Sequence, residues 1–272
     1  MSVVTDTPAG APTRGLNAFG TVSAHLFNVM KNNGADMSKL GVPPQPAPED
    51  GLWEDIAVPK ARARKQAWLN SVQDASQGNY LKFRLEGLDE NQKPKMLRKW
   101  LDSLVEAKKK KAQPATLNMI IPGNIGSGKS AAAIALGNEA VEVGIGALFI
   151  KHATYLTYRR PDMAPHNLTT HQVRQRFVTC DFLILDELCG EMDMTATEFA
   201  RRETVDLIDS RLSAGLPTAY TTNLRSRRQP GSPGLGVVDI LGERLLSRLE
   251  ERAHLLKIQG PDRRKPAKPL DW

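Results

Sequence analysis

Gly123-Asn124-Ile125-Gly126-Ser127-Gly128-Lys129-Ser130 is the stretch that decides the fold. It fits the pattern G-x-x-x-x-G-K-[ST]. It also stands where that pattern needs to stand, between an apolar run, Leu117 to Ile121, and a helical stretch, Ala131 to Val143. Glycines at 123, 126 and 128 let the backbone curl until its N–H groups face inward. Those donors, with the dipole of the following helix, hold β- and γ-phosphates. Lys129 adds a point charge, and the Ser130 hydroxyl is of the type that ligates magnesium. The octet is therefore the candidate nucleotide-binding loop, and ATP and Mg2+ are the cofactors it implies.

Outward from the loop, strands and helices alternate. Ala147 to Ile150 is a second buried strand. Residues 153–160 and 168–178 are predicted helices with a Pro-containing loop between them. Phe182 to Asp186 is a third strand. A long helix is predicted over 195–214, opened by Thr195 with Glu198 three residues later as a capping box. Thr218 to Thr222 is a fourth strand, 239–249 a helix, and His254 to Ile258 a fifth strand. This is an α/β pattern: a five-stranded parallel sheet covered by helices on both faces.

Three further groups sit at the ends of these elements. Phe182-Leu183-Ile184-Leu185-Asp186-Glu187 ends an apolar strand in two carboxylates, at the edge where open α/β sheets bind ligands. Asp186 is placed to hold the magnesium shell and Glu187 to polarise the attacking water. Thr221-Thr222-Asn223 ends the next strand, where the Asn223 side chain can orient water beside a γ-phosphate. Arg244 and Arg248 lie one helical turn apart and share a face. Arg248 is either an arginine presented to a neighbouring subunit's phosphates or part of a surface salt-bridge helix with Glu243, Glu250 and Glu251.

The 272-residue chain has a net charge of +7, unevenly distributed. Residues 61–115 carry +7 and 225–272 carry +5, while 1–60 carry −2 and 116–224 carry −3. Basic zones flanking an acidic centre suit a polyanion such as nucleic acid, or are solvated helix faces. No apolar run is long enough to span a membrane. No basic start followed by an apolar block marks a secretory signal. Two cysteines, Cys180 and Cys189, cannot build a thiolate zinc site or a disulfide framework, so a cytoplasmic location is expected.

Residues 1–60 are predicted to be a tail, a short helix over 18–33 and the Pro-rich linker 41–50, together a partner-docking region. Residues 61–115 are predicted to be a basic helical linker, with amphipathic helices over 60–77 and 95–111. Tyr80, Phe83 and Leu85 between them suggest an extended segment. Lys108 to Lys111 complement the dipole at a helix C-terminus. Residues 116–272 are predicted to form the ATPase core.

The four motifs together resemble the DnaC and IstB branch of AAA+ ATPases, over about residues 78 to 264. The telling parts are GNIGSGKS, FLILDE, PTAYTTN at 217–223 and LGERLLSRLEE at 241–251. The resemblance implies a P-loop NTPase with an AAA+ core and slow, assembly-stimulated ATP hydrolysis. It puts the arginine finger at Arg248 and the sensor 1 role at Asn223. It places Tyr80-Leu81-Lys82-Phe83 near the adenine. The chain ends 24 residues after Arg248, so the usual helical lid is expected to be absent or vestigial. That leaves no ordinary sensor 2 arginine, and Arg263 and Arg264 stand as loose substitutes. Thr197 and Phe199 fall on single-stranded DNA contact positions, although Phe199 equally fits a core position. Tyr155, Tyr158, Arg159 and Arg160 form a second aromatic and basic cluster with the same two readings. The implied partners are a replicative ring helicase, single-stranded DNA and further copies of the chain in an ATP-dependent oligomer. An IstB-like helper of transposition, acting with a transposase on duplex DNA, is the alternative.

Overall fold

The computed structural model describes residues 52–165, 168–190, 196–228 and 235–264. The predicted helix over 18–33, the linker 41–50 and Thr195 lie outside them. The chain divides between Leu52 and Trp53 into two units, and the architecture below belongs to the second.

Five strands form one sheet: β1 (Asn118–Pro122), β2 (Ala147–Lys151), β3 (Phe182–Asp186), β4 (Thr218–Thr222) and β5 (Ala253–Leu255). Their order is β2-β3-β4-β1-β5, and every pairing is parallel. The helices are α1 (Leu52–Asp74), α2 (Pro94–Lys109), α3 (Lys129–Glu142), α4 (His152–Tyr158), α5 (Thr170–Thr179), α6 (Glu198–Ser213), α7 (Val237–Leu241) and α8 (Glu243–Glu250). Among the described residues no helix is long and apolar enough to cross a membrane.

Successive strand residues point to opposite faces, and in β1, β2 and β3 both faces are buried, so the middles of these strands are apolar. Met119, Ile121, Phe149, Phe182 and Ile184 pack on one side against α1, α2 and α3. Ile120, Leu148, Ile150, Leu183, Leu185 and Tyr220 pack on the other against α4 to α8. The first core draws heavily on residues 61–115, through Trp68, Val72, Leu85, Leu97, Trp100, Leu101 and Leu104. Trp100 meets the Phe182 ring edge-on at 5.6 Å. Trp68 donates from Nε1 to Asn138 Oδ1 at 2.7 Å, and its ring lies where a Cβ on Gly137 would come within 2.2 Å of it. A glycine inside α3 costs about 1 kcal/mol of helix propensity. Burying a large side chain returns roughly 1.5–3 kcal/mol.

Four elements differ from the sequence expectation. The segment of Tyr80, Phe83 and Leu85 is not extended but forms 3-10 turns over Gly78–Lys82 and Leu85–Gly87. Side chains of α3 impose this: Asn138 donates to the carbonyls of Leu81 and Phe83, and Glu139 accepts from the Leu85 N–H at 2.8 Å. The long helix after β3 begins at Glu198 with Thr197 as its N-cap, whose hydroxyl accepts from the Ala200 N–H. The helix predicted over 239–249 is two helices, α7 and α8, that meet at Gly242. The fifth strand pairs over Ala253–Leu255, and Ile258 is joined to Gly123 by a separate parallel bridge.

Candidate nucleotide-binding site

The parallel register brings the carboxyl ends of β1, β3 and β4 together. Pro122 pairs with Thr222, and Leu185 pairs with Tyr220 one residue before Asp186. The loop Gly123–Gly128 rises from β1 and enters α3 at Lys129, so the first N–H groups of a 14-residue helix face the same edge. Three segments clasp this loop. Gly123 donates to Thr222 O at 3.2 Å on one side and bridges Ile258 on the other. Arg263 N donates to Gly126 O at 3.0 Å, and Gln92 Nε2 donates to Gly128 O at 2.9 Å. Gly126 has φ +75, and a Cβ there would stand 1.8 Å from Asp262 Oδ1. Glycine at 126 thus serves the protein's own packing as well as any phosphate.

Lys129 Nζ donates to Gly123 O at 3.0 Å, Asn124 O at 2.8 Å and Asn223 Oδ1 at 2.7 Å. Burial holds its pKa below the usual lysine value. Arg264 acts in the same direction, and Asp186 and Glu187 oppose it. Ser130 Oγ lies 3.0 Å from both oxygens of the buried Asp186 carboxylate. Burial pushes the Asp186 pKa up, as does the charge of Glu187, while hydrogen bonds from Thr221 and Ser130 pull it down. These are hard oxygen donors fixed side by side, a set that suits magnesium. Among the described residues no cluster of three or more His, Cys, Asp or Glu side chains forms a protein-only metal site. Magnesium does not need one, because it keeps waters and takes substrate phosphates.

Glu187 follows Asp186 in a left-handed backbone conformation, φ +55. Its carboxylate pairs with Lys151 Nζ at 3.4 Å. Thr221 joins the two acidic positions: its hydroxyl donates to Asp186 Oδ1 and accepts from the Glu187 N–H. Lys151 and Gln92 are site residues outside every motif, and Thr221 lies inside the Thr221-Thr222-Asn223 group with no role of its own assigned from sequence. For Thr221 the signal was a hydroxyl near the carboxyl end of a strand, one residue after the buried Tyr220.

A cleft of about 690 Å³ opens beside the loop. Tyr80, Phe83 and Gln92 line it together with Lys129, Ser130 and the C-terminal Arg263 and Arg264. The Tyr80 and Phe83 rings lie 5.5 Å apart. Arg263 is tied to Asp89.

Arg248 is not part of this cluster. It sits half exposed on α8, pairing with Asp209 at 3.2 Å and Glu251 at 2.8 Å. Thr197 is exposed and Phe199 half-buried, both at the start of α6. The second aromatic and basic cluster is largely spent on structure. Tyr155 is fully buried edge-on to Phe177, and Arg159 pairs with Glu203 at 2.7 Å; Arg160 remains exposed.

A strand–loop–helix phosphate cradle, an acidic strand end and an all-parallel five-stranded sheet define a P-loop NTPase of the AAA+ type. Residues 81–270 match the family model of the IstB-like ATP-binding protein, and the chain belongs to that family. No curated protein matches the chain. Among solved structures it is similar to DnaI, at 19% identity and TM-score 0.50 over 68% of this chain and 93% of that one. It is similar to the DnaC helicase loader, at 18% identity and TM-score 0.51 over 66% of this chain and 98% of that one. It also resembles the replication initiator DnaA bound to AMPPCP and single-stranded DNA, at 17% identity and TM-score 0.51. There it covers 66% of this chain and half of the other. At these identities the likeness is one of fold.

Proposed function

We propose that this ATP-binding protein is an ATP-dependent helicase loader that binds a replicative ring helicase and single-stranded DNA in the cytoplasm. The observation that carries the enzymatic part is the pairing of Ser130 with Asp186 and of Lys129 with Asn223 across three strand ends. Ser130 and Asp186 would hold Mg2+, which when bound neutralises charge on the phosphates. The N–H groups of the loop and Lys129 bind the β- and γ-phosphates. The Ser127 hydroxyl, buried in the loop without a hydrogen-bond partner, suits a phosphate oxygen. Glu187 polarises the attacking water once its carboxylate leaves Lys151, and Asn223 orients that water. Arg248 completes the site of a neighbouring subunit in an ATP-dependent oligomer, so isolated subunits turn over slowly.

The loader reading is supported by a fold that spans nearly all of the DnaC helicase loader. Single-stranded DNA as ligand is supported by two basic zones and by Thr197 and Phe199 at the start of one helix. The residues before 61 would then dock the helicase. The family match favours a second reading, a transposition helper that assembles on duplex DNA with a transposase.

DNA binding by the full chain separates the two. With ATP and magnesium the loader reading expects tighter binding to a single strand than to duplex, weakening as salt rises. Phe199→Ala should weaken single-strand binding by about 1–3 kcal/mol if the ring stacks on a base. A preference for duplex supports the transposition helper instead.

A further inference from the structure

His152 is the first residue of α4, directly after Lys151 closes β2. Its ring is buried, with 1% of its surface exposed, and no motif accounts for it. Nε2 lies 2.8 Å from Thr204 Oγ1 on α6, and Nδ1 lies 3.3 Å from the Cys189 N. These partners fix the tautomer. The single hydroxyl proton of Thr204 goes to Ala200 O at 2.6 Å, so Thr204 accepts from His152 and Nε2 carries the proton. Nδ1 is then bare and accepts from the Cys189 N–H. Burial alone lowers the ring's pKa to about 4, which agrees with a neutral imidazole.

The turn that His152 grips is the one that carries Glu187. Glu187 and Cys189 both hold left-handed backbone conformations, φ +55 and +62, although neither is glycine. Such residues persist only where their surroundings over-determine them. On one side β4 supplies the restraint: Leu188 N donates to Thr221 O at 2.8 Å, and Thr222 Oγ1 donates to Leu188 O at 2.9 Å. On the other side the restraint on the Cys189 N–H is His152. The same ring continues through Thr204 to Ala200 O, in the first turn of the helix, which Thr197 caps and which carries Phe199. Three donors, the Cys189 N–H, the His152 ring and the Thr204 hydroxyl, thus point in one direction, from the Glu187 turn to the Ala200 carbonyl at the start of α6.

We propose that His152 is a positioning residue that sets the turn carrying Glu187 and couples it to the first turn of α6, so that a ligand seated at Thr197 and Phe199 changes the rate of ATP hydrolysis. The coupling half rests on the reading of α6 as a DNA-contacting helix. The positioning half rests on the hydrogen bonds alone.

Two isosteres separate the halves. In His152→Asn the side-chain oxygen falls at the Nδ1 position and keeps the acceptor for Cys189, while the bond to Thr204 is lost. In His152→Gln the amide nitrogen falls at the Nε2 position and keeps Thr204, while the acceptor for Cys189 is lost. Turnover and ATP affinity of the full chain are measured with and without single-stranded oligothymidylate. His152→Gln lowers kcat tenfold or more under both conditions, with the Kd for ATP unchanged. Thr204→Val keeps the parent's unstimulated rate and loses at least fivefold of the stimulation by the oligonucleotide. His152→Asn loses stimulation by the same factor, whereas Thr204→Ser, which keeps the hydroxyl, keeps the parent's stimulation. Equal loss of kcat in His152→Asn and His152→Gln, in proportion to their melting temperatures, overturns the positioning role. Full stimulation in a folded Thr204→Val protein overturns the coupling and leaves the DNA reading standing. A parent protein that binds and responds to no DNA removes the coupling and the DNA reading together.

Discussion

Asn223 Oδ1 accepts a hydrogen bond from Lys129 Nζ at 2.7 Å, joining the residue proposed to orient water to the residue proposed to grip phosphate. With Gly123 O and Asn124 O, this bond uses all three protons of the ammonium. A γ-phosphate oxygen must displace one of these acceptors. Asn223 is the one on a side chain, and it alone can swing aside without unwinding the loop.

That geometry separates binding from turnover. Asn223→Ala removes a competitor for Lys129 and is expected to leave the Kd for ATP unchanged or lower, while kcat falls because the attacking water is no longer oriented. Lys129→Ala should abolish binding, and Glu187→Gln should bind ATP and lose turnover. Titration with a fluorescent ATP analogue and a phosphate-release assay check all three. A Glu187→Gln protein with the parent's rate would remove Glu187 from the chemistry.

The neutral state of His152 gives a pH signature. Its native pKa is lowered from 6.5 to about 4 by burial, so below pH 6.5 the unfolded chain binds more protons than the folded one. The corresponding stability is complete above pH 6.5 and is lost as pH falls towards 4. Urea unfolding is expected to show the parent losing roughly 3 kcal/mol over that window that His152→Gln does not lose.

The sequence made the phosphate loop, Asp186 and all five strands legible because each is local. Eight consecutive residues form the loop, and an apolar run ending in a carboxylate marks β3. What it hid depends on contacts between distant segments. Thr221 reaches Asp186 and His152 reaches Thr204 only once β2, β3, β4 and α6 are assembled. Tyr155 and Arg159 resembled a nucleic-acid surface because aromatic and basic residues look the same whether they face solvent or pack on Phe177 and Glu203. Thr195 and Thr197 both precede the same helix, and the observed capping bond singles out Thr197.

Gly137 tests the packing of α3. Alanine there gains about 1 kcal/mol of helix propensity. Its methyl, however, would overlap the Trp68 ring at 2.2 Å. Overpacking of this kind costs about 1–3 kcal/mol. Gly137→Ala is therefore expected to be no more stable than the parent by chemical denaturation. A clear gain would mean that Trp68 moves freely.

Arg248 is held by Asp209 and Glu251 of its own chain and must exchange these partners to reach a neighbour. Arg248→Ala should fold and bind ATP but lose ATP-dependent assembly and hydrolysis. Mixing it with Lys129→Ala should restore part of the activity, because some interfaces then pair an intact loop with an intact arginine. No recovery on mixing would make Arg248 a residue that acts within its own chain.

The claim that this ATPase loads a replicative helicase is tested most directly by affinity purification of the tagged full chain with ATP and magnesium, probed for both candidate partners. The account predicts that the replicative ring helicase is retained, that Lys129→Ala weakens its retention, and that no transposase is retained. Retention of a transposase without the helicase would contradict it.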